Sequence, residues 1–160
     1  MSIPIGADGR FAGYASVFNA VDEGGDIVLP GAFKRTLKAR GRDRIRLLFQ
    51  HDPKEPVGLW DTIAEDGFGL WAEGRLVPGV PRADALRRLI EVGAIDGLSI
   101  GFRTVKAVRD RGSGHRRIAE IDLWEISVVT FPMMAEARIG QRRGAAREEI
   151  AAAISLLRQR

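Results

Sequence analysis

The chain has 160 residues, suited to one domain, with ordinary hydrophobic (45%) and charged (29%) content for a globular protein and a net charge of +4. It has no cysteine, which excludes disulfides, thiolate metal sites and a cysteine nucleophile, and fits a reducing compartment. The N-terminus "MSIPIGADGR" lacks the basic and apolar regions of a signal peptide, and no apolar run approaches the ~20 residues of a membrane span, so a soluble intracellular protein is expected.

In chain order, Arg10 to Phe18 alternates like a strand, placing Phe11, Ala15 and Val17 on one face and Tyr14, Ser16 and Phe18 on the other. The turn-rich piece "VDEGGDIVLPGAF" leads into a short helix with Phe33 and Leu37 at i, i+4, stopped by Gly41. Ile45, Leu47, Phe49 and His51 alternate along a strand that Asp52-Pro53 then turns. Val57 to Ile63 and Phe68 to Val77 form a hairpin about Asp66-Gly67. Pro81 suits a helix N1 position, Leu86, Leu89 and Ile90 give that helix an apolar stripe, and Gly93 ends it.

Leu98 to Val108 and Ile118 to Phe131 are the longest alternating segments, joined by "DRGSGH". Beyond Pro132, Ala146, Ile150, Ala153, Ile154 and Leu157 mark an amphipathic C-terminal helix. The expectation is an α+β domain: a curled antiparallel sheet or small barrel of six or seven strands, flanked by about three helices. Residues 1–139 form the domain proper and 140–160 a helical tail. Basic clusters run from Lys34 to Arg46 and from Arg138 to Arg147, without interleaved aromatics; solvated faces account for them, and a nucleic-acid partner is not expected.

"GLSIG" (Gly97 to Gly101) spells the G-x-S-x-G of a nucleophile elbow. That elbow needs a strand before the serine and a helix after it, whereas here a helix precedes Ser99 and a strand follows. Ser99 can still act. With the hairpin centred on Gly112, paired numbers sum to about 224, which sets Ser99 opposite Glu125, Ile100 opposite Trp124 and Phe102 opposite Asp122, with directly opposed Cβ atoms about 4.5–5.5 Å apart. The face bearing Ser99, Gly101 and Glu125 is small and polar, leaving room for a substrate backbone.

A serine nucleophile needs a base, and the chain offers His51, at the end of an apolar strand, and His115, in a basic turn. His51 is preferred, with Glu125 to orient its imidazole. On residues alone each has a structural alternative: a strand-end histidine in packing, a glutamate paired with Arg103, a serine where space is tight.

The blocks "GDIVLPGAF", "LLFQHDPKEPVGLW", "GAIDGLSIGFRT" and "LWEISVVTFPM", in that order over residues 9 to 139, resemble the prohead proteases of tailed phages, distant relatives of the herpesvirus assemblins. The resemblance implies a serine endopeptidase that removes the scaffolding portion of the major capsid protein, and cleaves itself, inside the assembling prohead in the bacterial host cytoplasm. It places the family's histidine on His51, its serine on Ser99 and its acidic residue on Glu125. The assemblins' second histidine has no counterpart here. Asp122 competes for the third role, and the expected register turns it to the other face. No cofactor, metal or membrane is implied; a homo-oligomer is possible, and backbone amides near Gly101 or after Phe131 are candidate oxyanion donors. The competing function is a non-catalytic scaffold or capsid-binding module on the same fold.

Overall fold

The computed structural model of the protein describes residues 4–144, 152 and 155–158. Its elements are β1 (Arg10–Val17), β2 (Asp26–Val28), α1 (Lys34–Arg40), a 3₁₀ turn at Arg42–Arg44, β3 (Arg46–Phe49), β4 (Asp52–Glu65), β5 (Gly69–Leu76), α2 (Pro81–Glu91), β6 (Gly97–Arg109) and β7 (Arg116–Val129). Of the expected C-terminal helix, Ala146, Ile150, Ala153 and Ile154 lie outside the described residues, while 155–158 are helical and exposed.

One curled sheet of seven strands runs β1-β5-β4-β3-β7, with β2 sharing the β3 edge of β7 and β6 pairing along its other edge. The end strands β1 and β6 approach each other without pairing, and residues 138–139 bridge them through Gly13 and Gly97. The curled architecture is the one expected, but the sheet is mixed: β2 and β3 both run parallel to β7. Alternation reports which face a residue occupies and not strand direction, and parallel neighbours must be joined by a long crossover that leaves no local mark. Here the crossover from β3 to β7 passes through β4, β5, α2 and β6.

The core explains most of the sequence pattern. Phe33, Leu47, Leu70, Leu86, Ile90, Leu98, Ile118, Leu123, Ile126 and Val128 are all fully buried, and each contributes about 1.5–3 kcal/mol relative to exposure. Pro81 opens α2, whose buried stripe is Ala83, Leu86 and Ile90; Leu89, expected in that stripe, is half exposed. α1 ends where Gly41 takes a φ of 71°, and it lies against β7, so its basic face meets acidic partners: Arg40 pairs with Asp122 at 2.8 Å and Arg35 with Glu120 at 3.2 Å. The β4–β5 turn is held by Asp66, whose Oδ1 accepts the Phe68 and Gly69 amides. Past Ile139 the chain stays on the sheet: Gly140 N–H donates to Ala12, Gln141 Oε1 accepts from Tyr14 N–H, and Gly144 N–H reaches the Tyr14 hydroxyl.

Candidate active site

β7 is the axis of the site. On one edge β3 runs parallel to it, with Arg46 beside Glu125 and Leu48 beside Ser127; on the other edge β6 runs antiparallel, with Gly101 beside Glu125 and Ser99 beside Ser127. His51, just past β3, and Ser99, on β6, therefore flank the same two polar residues of the strand between them.

The register differs from the expected one. Near the turn, paired numbers sum to 225, as in Arg109 with Arg116, and at the site they sum to 226. The change comes at a bulge between Gly101 and Phe102, where Phe102 pairs with Leu123 and Trp124 is the extra residue. Ser99 thus faces Ser127 and not Glu125, Ile100 faces Ile126 and not Trp124, and Phe102 faces Leu123 and not Asp122. A shift of two leaves Ser99 and Glu125 on one face.

The bulge also corrects the argument about Asp122. Arg103 follows Gly101 by two positions, so the two share a face, and Arg103 pairs with Asp122 as Gly101 does with Glu125. Both carboxylates therefore lie on the outer side. What separates them is their partners. Asp122 is held by Arg40 at 2.8 Å, the Trp124 indole N–H at 2.9 Å and Arg103 at 3.7 Å, and the Arg40 and Trp124 hydrogen bonds set its pKa below the usual carboxylate range.

Glu125 is buried, and its hydrogen bonds run into the site: Oε1 meets His51 Nδ1, and Oε2 accepts from Ser127 Oγ at 2.5 Å. Gly101 makes this possible. A Cβ at that position would overlap Oε1 and stand 2.7 Å from Cδ and 2.8 Å from Cγ. The space expected to admit a substrate backbone is filled by the glutamate. At Gly97 the corresponding space is taken by Val129 O and the Pro132 ring.

His51 is not in the strand. Phe49 pairs with Asp52, and Gln50 and His51 form the two-residue turn between them at φ 54° and 59°. Positive φ at both central residues is the type I′ pattern that matches strand twist, at a cost of about 1–2 kcal/mol for each non-glycine residue. The chain turns here, and not at Asp52-Pro53, because tertiary bonds hold both residues. Gln50 N–H donates to Val128 O at 3.0 Å, and its side-chain amide pairs twice with Thr130, to Oγ1 at 2.5 Å and from N–H at 3.1 Å. His51 N–H donates to Ser127 Oγ at 3.0 Å. That bond, with ladder geometry across Ser127 and Ser99, keeps the His51 amide within about 10 Å of the Ser99 Cβ.

The Glu125 hydrogen bond is the main reason the His51 pKa is raised; burial works against it, and the glutamate's charge adds to the increase. Nδ1 is committed to Glu125, which leaves Nε2 for proton transfer. Among the described residues no hydrogen bond joins Ser99 Oγ to the ring, a spacing that often closes only around substrate. His115 lies at the far end of the β6–β7 hairpin, its N–H on Ser113 Oγ. Ser127, Gln50 and Thr130 were not singled out from sequence. Ser127 shares the Ser99–Glu125 face by alternation, while nothing local marks Gln50 or Thr130. Among the described residues no cluster of three His, Cys, Asp or Glu side chains is placed to hold a metal, and no helix is long and apolar enough to cross a membrane.

This curled sheet is a fold shared with viral proteases of known structure. It superimposes on the bacteriophage T4 capsid assembly protease, gp21, with a TM-score of 0.65 at 15% identity, covering 77% of this chain and 82% of that one. It also superimposes on the KSHV protease in complex with a hexapeptide phosphonate inhibitor, with a TM-score of 0.57 at 12% identity, covering 91% and 75%. Residues 2–150 match the family of caudovirus prohead serine proteases, and the chain belongs to that family. It is 43% identical over 138 residues to the prohead protease of Enterobacteria phage HK97, covering 84% of this chain and 60% of that protein. The chain thus spans about three fifths of that relative's length.

Proposed function

We propose that the protein is a serine endopeptidase in which Ser99 is the nucleophile, His51 the general base and Glu125 the residue that orients the imidazole and stabilises its protonated form. The observation that carries this is the hydrogen-bonded chain His51 Nδ1–Glu125–Ser127, built on the strand directly beside Ser99. His51 Nε2 takes the Ser99 proton as Oγ attacks the scissile carbonyl. The imidazolium then gives that proton to the leaving amine as the C–N bond breaks, and water, deprotonated by the same ring, releases the acyl group and restores the serine.

Family membership supports capsid maturation as the setting. The substrate is then the scaffolding portion of the major capsid protein precursor, with self-cleavage, inside the assembling prohead in the host cytoplasm. Co-expression of the precursor with wild-type protein should give new termini on mass mapping, and Ser99→Ala should abolish them while leaving the fold intact. A fluorophosphonate probe should label wild-type protein on Ser99 alone. Normal processing by Ser99→Ala overturns the assignment.

A further inference from the structure

We propose that a cavity beside Ser99 receives the substrate side chain next to the scissile bond and selects one with an apolar stem and a cationic head, lysine or arginine. The proposal rests on the serine-peptidase reading and adds its specificity.

The cavity lies between the end strands β1 and β6, where the curled sheet closes without strand pairing, and Ser99 is one of its lining residues. Its volume is about 180 Å³, well below the roughly 300–1,000 Å³ of small-molecule sites, and it suits a single side chain. Ile100, Phe102, Met133 and Met134 supply apolar walls, two of them methionines, whose unbranched chains adapt to an irregular occupant.

Two polar features set the preference. First, Ser16 lines the cavity and is 2% exposed, and its Oγ is one of two buried side-chain polar atoms without a partner among the described residues. A buried hydroxyl left unsatisfied is unfavourable, and a hydrogen-bonding head group entering the cavity would relieve it. Second, Asp22 and Asp26 line the cavity, and no lysine or arginine does. Arg116, from outside the lining, neutralises Asp26 through a bidentate pair at 2.9 and 2.7 Å. Asp22 makes no ion pair of its own among the described residues; Arg116 acts on it only through space, so the two carboxylates share one guanidinium. Asp22 Oδ1 accepts the Gly24 and Asp26 amides at 2.8 and 2.9 Å, which fixes the carboxylate, and Glu23 N–H ties the same loop to Met133 O at 2.9 Å. Two carboxylates that share one guanidinium leave net negative charge at a slot with apolar walls, which favours a cation on an aliphatic stem over a neutral or acidic residue.

The test is a peptide mixture made by cutting a bacterial proteome at glutamate, incubated with the protein and mapped for new termini by mass spectrometry. Lysine and arginine should be enriched several-fold at one position flanking the cuts. Asp22→Asn, which keeps the Oδ1 acceptor, should return that position to background composition, and Asp22→Lys should exclude basic residues there. Cuts that vanish in Ser99→Ala but show no basic preference, or a preference that survives Asp22→Asn in folded protein, overturn the pocket and leave the serine assignment standing. Absence of any Ser99-dependent cut overturns both. Should the variants not fold, the wild-type profile decides alone.

Discussion

Gly101→Ala isolates the step on which the candidate site depends, because one methyl group is aimed at the Glu125 carboxylate. The added Cβ overlaps Oε1 and sits 2.7 Å from Cδ, so the glutamate must swing away or β6 and β7 must part. Parting the ladder sacrifices pairing on both sides of the site, and overpacking of this kind costs about 1–3 kcal/mol. Swinging the carboxylate breaks hydrogen bonds to His51 and Ser127, each worth about 1.5–3 kcal/mol to a charged group. The two routes bracket a loss of about 1–6 kcal/mol, and at about 2–4 °C per kcal/mol the melting temperature falls by several degrees or more. Catalysis should suffer far more. Removing the orienting carboxylate of a serine triad lowers kcat by about 10⁴-fold, and displacement should approach this, a loss of about 10²–10⁴-fold with KM little changed. Gly97→Ala is the control: its Cβ meets Val129 O and Pro132, so it should destabilise without touching the dyad. Peptide cleavage kinetics beside calorimetry separate the effects. A folded Gly101→Ala protein with wild-type kcat would refute a catalytic role for Glu125.

His51→Ala should lower kcat by several orders of magnitude, whereas His115→Ala, at the far end of the hairpin, should change kcat/KM less than about threefold; equal losses would reverse the choice of base. The raised His51 pKa places the acidic limb of the kcat/KM profile above the usual histidine value of about 6.5, since only the neutral ring accepts the serine proton. Glu125→Gln should move that limb toward or below 6.5, and an unmoved limb would mean another group titrates. The same shift ties stability to pH. The His51–Glu125 interaction contributes fully below the unfolded histidine's pKa and is lost as pH rises through the raised folded value, so the Glu125→Gln destabilisation should shrink at alkaline pH in calorimetry. Gln50→Ala removes the side chain that clamps the strained turn to Thr130, and it should lower kcat more than it raises KM; Gln50→Gly, free of the positive-φ cost, should match Gln50→Ala in stability or exceed it.

Which side chains gather at the candidate site could be read in part from the chain, but how they meet could not. Alternation on β6 and β7 put Ser99 and Glu125 on one face, and that survives because the register moved by two at the site. The bulge at Trp124 has no local signature. It shows only in burial, where Leu123 and Ile126, three apart, both point into the core while Trp124 is 56% exposed. A strict period of two therefore misplaces everything on the turn side of it, Asp122 included. The position of His51 was similarly half legible. The sequence marks the end of an apolar strand, but the I′ turn at Gln50-His51 carries none of the Asn-Gly chemistry that announces such turns, since Val128, Ser127 and Thr130, distant in sequence, hold it.

Of the two carboxylates, Glu125 is the one that meets His51, and the reason is geometric. Both carboxylates emerge on the outer side of β7, three residues apart, and neither face nor charge distinguishes them. Asp122 meets α1, where Arg40 takes its Oδ1 and leaves it an anchor for the helix. Glu125 makes no ion pair with an arginine among the described residues: Arg46, beside it in the ladder, gives its guanidinium to Asp43 O. The parallel strand β3 ends beside Glu125, and the turn that follows presents an imidazole where Asp122 finds a guanidinium. A glycine opposite then lets the carboxylate lie in the ladder, out of bulk water, where its hold on the imidazole is strongest. Parallel pairing of β3 with β7, the feature that alternation cannot report, is thus what turns one of two equivalent carboxylates into a partner for His51.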